Sequence, residues 1–233
     1  MLKMAVFDGD RMVAFSQNLN SEPSGIHETV EQYQPNKGIM SSVINGNKKM
    51  IRALKTRISP FLWLDETVLL PVSIEYETVK TLGKDRIAVV AGANYLQPGR
   101  DILVIDAGTA ITYELLEASG VYKGGNISPG LTTRFRALNR FTKRLPLVTE
   151  QEDIPLIGTN TEAAIRAGVV NGMVYEIDGM IEAMKAKYGE IFVYLTGGHA
   201  LYFVNRLKNR TFVDRNLSLI GLNRILEHNA KTM

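Results

Sequence analysis

The chain contains no cysteine among its 233 residues. That excludes disulfides, thiolate metal sites and a cysteine nucleophile. No apolar run approaches the eighteen or so residues that a membrane-spanning helix needs. Its histidines, His27, His199 and His228, lie far apart, and none forms a pair at metal-ligand spacing. Neither a Walker A loop nor a Gly-x-Gly-x-x-Gly turn follows any strand, so a nucleotide enzyme here is of neither the P-loop nor the Rossmann type. Met1 to Phe7 runs straight into Asp8-Gly9-Asp10 without the pattern of a signal peptide, and a cytoplasmic location is expected. Basic residues are not massed in blocks. The formal charge of +3 is spread along the chain, which argues weakly for nucleic acid and suits an anionic nucleotide as well. The basic stretch Lys48, Lys49, Arg52, Lys55 and Arg57 has no interleaved aromatics and reads as a solvated helix face.

What is present is a hydrophobic content of 45%, enough for one large core or two smaller ones. Period and turn signals predict a hairpin, Lys3 to Phe7 and Arg11 to Ser16, around Asp8-Gly9-Asp10, then a loop over 17–26. A short helix follows from His27, a strand over Gly38 to Val43, a basic helix over Asn47 to Thr56 and a strand at Phe61 to Leu64. Another apolar run spans Thr67 to Leu70. A helix is expected from Lys84 to Tyr95, then three antiparallel strands starting at Ile102, Ile111 and Val121, the last running to Ile127. Pro129-Gly130 should open a helix to Phe141, and Asn160 to Lys187 reads as a long helix, broken near Gly172 or Gly179. Ile191 to Leu195 is a buried strand, followed by a helix over His199 to Leu207, a strand at Thr211 to Val213 and a closing helix over Leu217 to Glu227. Helices alternating with mixed hairpins predict an α/β fold with a mixed sheet. The N-terminal hairpin and the Asp106 meander look like one device used twice. Two lobes are therefore expected, 1–98 and 99–233, around a cleft, with the closing helix free to pack back on the first.

Five glycine-containing constellations carry potential chemistry. In Gly83-Lys84-Asp85-Arg86, a helix N-terminus favours anions, Arg86 supplies a fork for a carboxylate, and Asp85 can take a proton from a hydroxyl. Asp85 reads equally as a helix cap. In Asp106-Ala107-Gly108-Thr109, a strand delivers a carboxylate to a Gly-Thr turn. Such a turn can hold hydrated Mg²⁺ and present backbone N–H groups to phosphate, or it can be only a turn. Gly124-Gly125-Asn126-Ile127-Ser128-Pro129-Gly130 reads as the end of a strand and the loop into a helix. Gly158-Thr159-Asn160-Thr161-Glu162 enters the long helix, with Thr161 as a substrate contact and either Asn160 or Thr161 as a cap. Thr196-Gly197-Gly198 sits at the carboxyl end of a strand, where ligands bind in α/β sheets.

Taken in order, these segments resemble the type III pantothenate kinases. The matching text also includes Tyr76-Glu77-Thr78, Thr81-Leu82, Ala110-Ile111-Thr112 and Leu145-Pro146, and it covers essentially the whole chain. The resemblance implies the actin-like ATPase architecture, two ribonuclease-H-like lobes. It implies transfer of the γ-phosphoryl of ATP to pantothenate to give 4'-phosphopantothenate, the first step of coenzyme A biosynthesis. It makes Asp85 the general base, with Tyr76, Gly83, Lys84, Arg86 and Thr161 at the pantothenate. Asp106, Gly108, Thr109, Thr196, Gly197 and Gly198 would serve ATP. Asp106 would hold Mg²⁺ through water, and Glu114 would contact a monovalent cation, K⁺ or NH₄⁺. Thr161 would reach the substrate of a neighbouring subunit, so a homodimer is implied; no nucleic acid or membrane partner is.

The chain departs from the family pattern in three places. Glu114 stands where many members have Asp, and Val79 where a proline is common. The family opens with a strand ending in an Asp-x-Gly-Asn-Thr-like turn, its first phosphate motif. Here Asp8-Gly9-Asp10 reads as the hairpin turn after it, so that strand and its carboxylate are expected to be missing and turnover to be weak or absent. The alternatives are a relative that binds pantothenate without catalysis, and a kinase of the same fold acting on another small hydroxy acid.

Overall fold

The computed structural model describes residues 2–18, 24–42 and 48–230. The chain divides into two units, Met1–Leu96 with Leu217–Met233, and Gln97–Asn216. The closing helix thus groups with the N-terminal residues rather than with the segment that precedes it.

The first unit opens with β1 (Leu2–Asp8) and β2 (Arg11–Asn18), an antiparallel hairpin. Gly9 takes a φ of +58° at its turn, a conformation that costs glycine nothing. Then come α1 (Ser24–Tyr33), β3 (Gly38–Met40), α2 (Lys48–Arg57) and β4 (Phe61–Trp63), with β4 parallel to β3. The expected strand end Val43 and helix start Asn47 lie outside the described residues, as do residues 19–23 of the expected 17–26 loop; its ends belong to β2 and α1. β5 (Ser73–Ile74) and a 3-10 turn, Val79–Thr81, lead to α3 (Lys84–Leu96).

Helix α7 (Leu217–Ala230) packs on α3 at backbone distance. A Cβ on Gly221 would stand 1.7 Å from the Ala88 carbonyl oxygen, and one on Gly92 2.3 Å from that of Leu217. Only glycines allow this approach. α7 also holds the hairpin turn: Asn223 Nδ2 donates to the Gly9 carbonyl at 3.0 Å, and Arg224 pairs with Asp10 at 2.5 Å.

Residues 67–70 are not a strand. Asp65 Oδ1 accepts from Thr67 N and Oγ1, which turns the chain, and the Asn229 side chain bonds both N–H and C=O of Leu69.

The second unit is built on β6 (Ile102–Ala107), β7 (Ala110–Leu116) and β8 (Val121–Pro129), an antiparallel meander. After α4 (Leu131–Phe141) and α5 (Thr161–Tyr188), β9 (Phe192–Thr196) pairs parallel to β6 on its other side. α6 (Ala200–Val204) leads to β10 (Phe212–Val213), parallel to β9. The strand order β10-β9-β6-β7-β8 is that of a ribonuclease-H-like lobe, and the fold is α/β with mixed sheets. β6 is central and buried at five of its six positions. Leu103 and Ile105 share one core with Ile165, Val169, Met173 and Ile177 of α5.

Three expectations are corrected here. α5 runs unbroken over 28 residues. Gly168, Gly172 and Gly179 lie on open positions, and each costs about 1 kcal/mol of helix propensity, which the buried face outweighs. β8 runs to Pro129, past the expected strand end at Ile127, and within it Gly125 presses on Tyr113: a Cβ would stand 1.8 Å from that carbonyl oxygen. α6 stops at Val204, well before Leu207. The Asp178 carboxylate accepts from the N–H groups of Lys208 and Asn209 and holds the following residues in a turn.

Candidate active site

Within the first unit, the 3-10 turn and the start of α3 bring Tyr76, Gly83, Lys84, Asp85 and Arg86 together. Leu82 and Arg86 are buried, while Asp85 is exposed at the first turn of the helix. Arg86 is only 6% exposed, and its guanidinium lies 5.7 Å from the centre of the Tyr76 ring. A buried guanidinium stacked on an aromatic face is a preorganised fork for a carboxylate. Asp85 Oδ1 accepts from the Arg86 N–H at 2.9 Å. A Cβ on Gly83 would stand 2.6 Å from that oxygen, so the glycine makes room for the carboxylate. Lys84 lies close enough to Asp65 that its charge helps to lower the Asp65 pKa, after the larger effect of the Thr67 hydrogen bonds.

Within the second unit, Asp106 ends β6 beside Thr196 of β9, its neighbour in the parallel register. The Asp106 carboxylate lies directly over Gly197: a Cβ there would approach Oδ1 to 2.4 Å. Gly197 has a φ of +94°, which independently favours glycine. The Gly108-Thr109 turn is closed by Gly108 N donating to the Ala110 carbonyl at 3.0 Å. Its Thr109 carbonyl accepts from Gly130 N at 3.0 Å and Thr133 Oγ1 at 2.7 Å. Gly130 backs the same turn, because a Cβ would stand 2.2 Å from the Gly108 carbonyl oxygen. Asp106, Gly108, Thr109, Thr196, Gly197 and Gly198 thus converge at the carboxyl ends of β6 and β9.

Sequence reasoning missed the support behind this turn. Arg134 donates through Nε to the Pro129 carbonyl at 2.7 Å and through Nη2 to Ser128 Oγ at 3.0 Å, and it pairs with Glu176. Tyr113 Oη donates to Glu176 Oε1 at 3.0 Å. Burial, then the Glu176 charge, raises the Tyr113 pKa and keeps the phenol neutral. Glu176 is one of several charged residues of α5, and nothing in its spacing marks this network in sequence.

Thr161 is the first residue of α5 and exposed; the cap is Asn160, whose side chain accepts from Ala163 N at 2.9 Å. Glu114 is fully buried in β7, and its Oε2 accepts from Tyr122 Oη at 2.5 Å. A cation at Glu114 would share the carboxylate with that hydroxyl. Among the described residues no three His, Cys, Asp or Glu side chains gather as a metal cage.

The sequence profile of the type III pantothenate kinases matches residues 1–183. A type III pantothenate kinase from Bacteroides fragilis is 48% identical over 227 residues, covering 97% of this chain and 93% of that protein. The chain belongs to the type III pantothenate kinase family. A second such kinase, from Phocaeicola vulgatus, is 43% identical over 98% of this chain and 95% of its own length. Among solved structures, a conserved Baf-family protein from Campylobacter jejuni is 25% identical and superposes with a TM-score of 0.57 over 88% of this chain and 89% of its own. The type III pantothenate kinase match includes Tyr76, Asp85, Asp106 and Thr161, while Thr196-Gly197-Gly198 lie beyond its end at residue 183.

Proposed function

We propose that this chain phosphorylates pantothenate with ATP to give 4'-phosphopantothenate, the first step of coenzyme A biosynthesis, using the constellations at Asp85 and Asp106. The observation that carries the assignment of roles is the buried Arg86 stacked on Tyr76 next to exposed Asp85. Arg86 binds the pantothenate carboxylate, with Tyr76, Gly83 and Lys84 lining the same position. Asp85 takes the proton of the primary hydroxyl as its oxygen attacks the γ-phosphorus. The bond to the β,γ-bridging oxygen breaks, and ADP leaves. Phosphoryl transfer demands positioning and charge neutralisation more than covalent help, which is what these residues supply.

On the nucleotide side, the Gly108-Thr109 turn and Thr196-Gly197-Gly198 present backbone donors and hydroxyls to phosphate. Asp106 would hold Mg²⁺ through water, and the ion would supply neutralisation of phosphate charge. Glu114 would contact K⁺ or NH₄⁺ in this reading.

The family resemblance also implies a homodimer in which Thr161 reaches the neighbour's substrate. The exposure of Thr161 and of large apolar side chains in the second unit, among them Ile157 at 75% and Phe141 at 82%, supports that reading. A cytoplasmic enzyme is the matching expectation; among the described residues no helix is long and apolar enough to cross a membrane.

The test is a coupled ADP-release assay with ATP, Mg²⁺, K⁺ and pantothenate, alongside calorimetric titration of pantothenate. ADP release that depends on pantothenate is expected. Neither binding nor release would refute the reading, while binding without release would favour a non-catalytic relative.

A further inference from the structure

The turn from Asp106 to Thr109 is gripped from two sides. On the side of β9, Gly197 lies against the Asp106 carboxylate, and His199 N donates to the Ala107 carbonyl at 3.0 Å. On the side of β8, the Thr109 carbonyl accepts from Gly130 N and Thr133 Oγ1, and Gly130 presses on the Gly108 carbonyl. Carbonyls occupied by protein donors are drawn away from an incoming phosphate, which needs N–H groups instead.

The second grip runs through one ion pair. Ser128 and Pro129 end β8 in register with Ile111 and Ala110, the first residues of β7 after the turn. Arg134 fixes that end: Nε donates to the Pro129 carbonyl at 2.7 Å and Nη2 to Ser128 Oγ at 3.0 Å. Its Nη2 also pairs with Glu176 Oε2 of α5. The other oxygen, Oε1, accepts from Tyr113 Oη at 3.0 Å, and Tyr113 is buried in β7. One carboxylate thus ties both limbs beside the turn, β7 through Tyr113 and the start of α4 through Arg134. Arg134 stands where helix physics disfavours it. It lies in the first turn of α4, which has no acidic residue, and a cation there opposes the helix dipole. Glu176 and the two hydrogen bonds to the end of β8 offset that cost. Side-chain exposures of 20% and 27% leave the pair far less screened by salt than a surface pair.

We propose that Arg134 and Glu176 are positioning residues for the phosphates of ATP: together they hold the Gly108-Thr109 turn in its phosphate-binding geometry, acting through the turn and not through the nucleotide. The inference rests on the nucleotide role proposed for that turn. Tyr76, Asp85 and Arg86 belong to the first unit, and Arg134, Glu176, Tyr113 and Ser128 all belong to the second. Loosening the pair therefore weakens ATP and spares pantothenate.

The test is Glu176→Gln in the full chain, which keeps the shape and an acceptor for Tyr113 but drops the charge that faces Arg134. MgATP and pantothenate are titrated separately by calorimetry, and hydrogen–deuterium exchange follows the amides of 107–111. ATP affinity should fall at least about tenfold, the worth of a charge-assisted bond. The 107–111 amides should exchange faster, and pantothenate affinity should not change. Arg134→Lys keeps the charge but cannot bridge Pro129, Ser128 and Glu176 together. It should show the same split, and it decides the matter if Glu176→Gln does not fold. Equal losses for the two ligands would reduce the pair to general support of the fold and overturn the proposal. So would unchanged exchange at 107–111, or ATP affinity that neither substitution alters. An unaltered chain that binds no MgATP would refute the nucleotide reading itself, and this inference with it.

Discussion

Arg86 and Asp85 are adjacent in sequence but occupy opposite environments, one buried and one exposed, and the proposed chemistry follows from that difference. Arg86→Lys keeps the charge but loses the fork and the flat face on Tyr76. Pantothenate affinity should fall by about ten- to a hundredfold, the worth of a charge-assisted bond, as calorimetry would record. Asp85→Asn removes the base and leaves the pocket intact. Its kcat should drop by roughly a hundred- to ten-thousandfold, with little change in pantothenate binding. Gly197→Ala places a methyl group against the Asp106 carboxylate, at a φ of +94°. ATP affinity should suffer while pantothenate affinity does not, a split that paired titrations would show. The runs Gly83 to Arg86, Asp106 to Thr109 and Thr196 to Gly198 stood out in sequence because each is contiguous, but the pairing of Asp106 with Thr196 across β6 and β9 did not. Nor did the stacking of Arg86 on Tyr76 and the burial of Glu114 against Tyr122. They depend on contacts across ten and eight residues of chain that no spacing rule encodes.

At the scale of elements, α3 is positioned by α7 through the Gly92 and Gly221 approach. Gly221→Ala forces the helices apart and should cost about 1–3 kcal/mol or somewhat more, measurable by urea unfolding. Since α3 carries Asp85 and Arg86, pantothenate binding should weaken in the same variant. The helices and strands were largely legible from their apolar period, including the meander and the parallel strand β9. Where the reading failed, a tertiary contact overrode a local signal. Glycines in α5 suggested a break, yet its buried face carries the helix through them. The strand from Val121 was expected to end at Ile127, yet β8 continues through Ser128 to Pro129 in register with β7. The apolar run at 67–70 carried no assigned element, and Asp65 and Asn229 hold it as a loop.

For the whole molecule, the grouping of α7 with the N-terminal residues had no local signature, because it arises from a contact between segments more than a hundred residues apart. Assembly belongs to the same scale. Exposed Ile127, Leu156, Ile157 and Tyr175 leave the second unit with much apolar surface. Light scattering should therefore give a mass near twice the 25.9 kDa of one chain; a monomer at micromolar concentration would remove the role proposed for Thr161. The central claim, that Asp85 directs ATP-dependent phosphorylation of pantothenate, is tested most directly by mass-spectrometric detection of product after incubation with ATP, Mg²⁺, K⁺ and pantothenate. The account predicts 4'-phosphopantothenate from the chain, at a level reduced at least about a hundredfold in Asp85→Asn. No product above the enzyme-free control, or an equal yield from the variant, would contradict it.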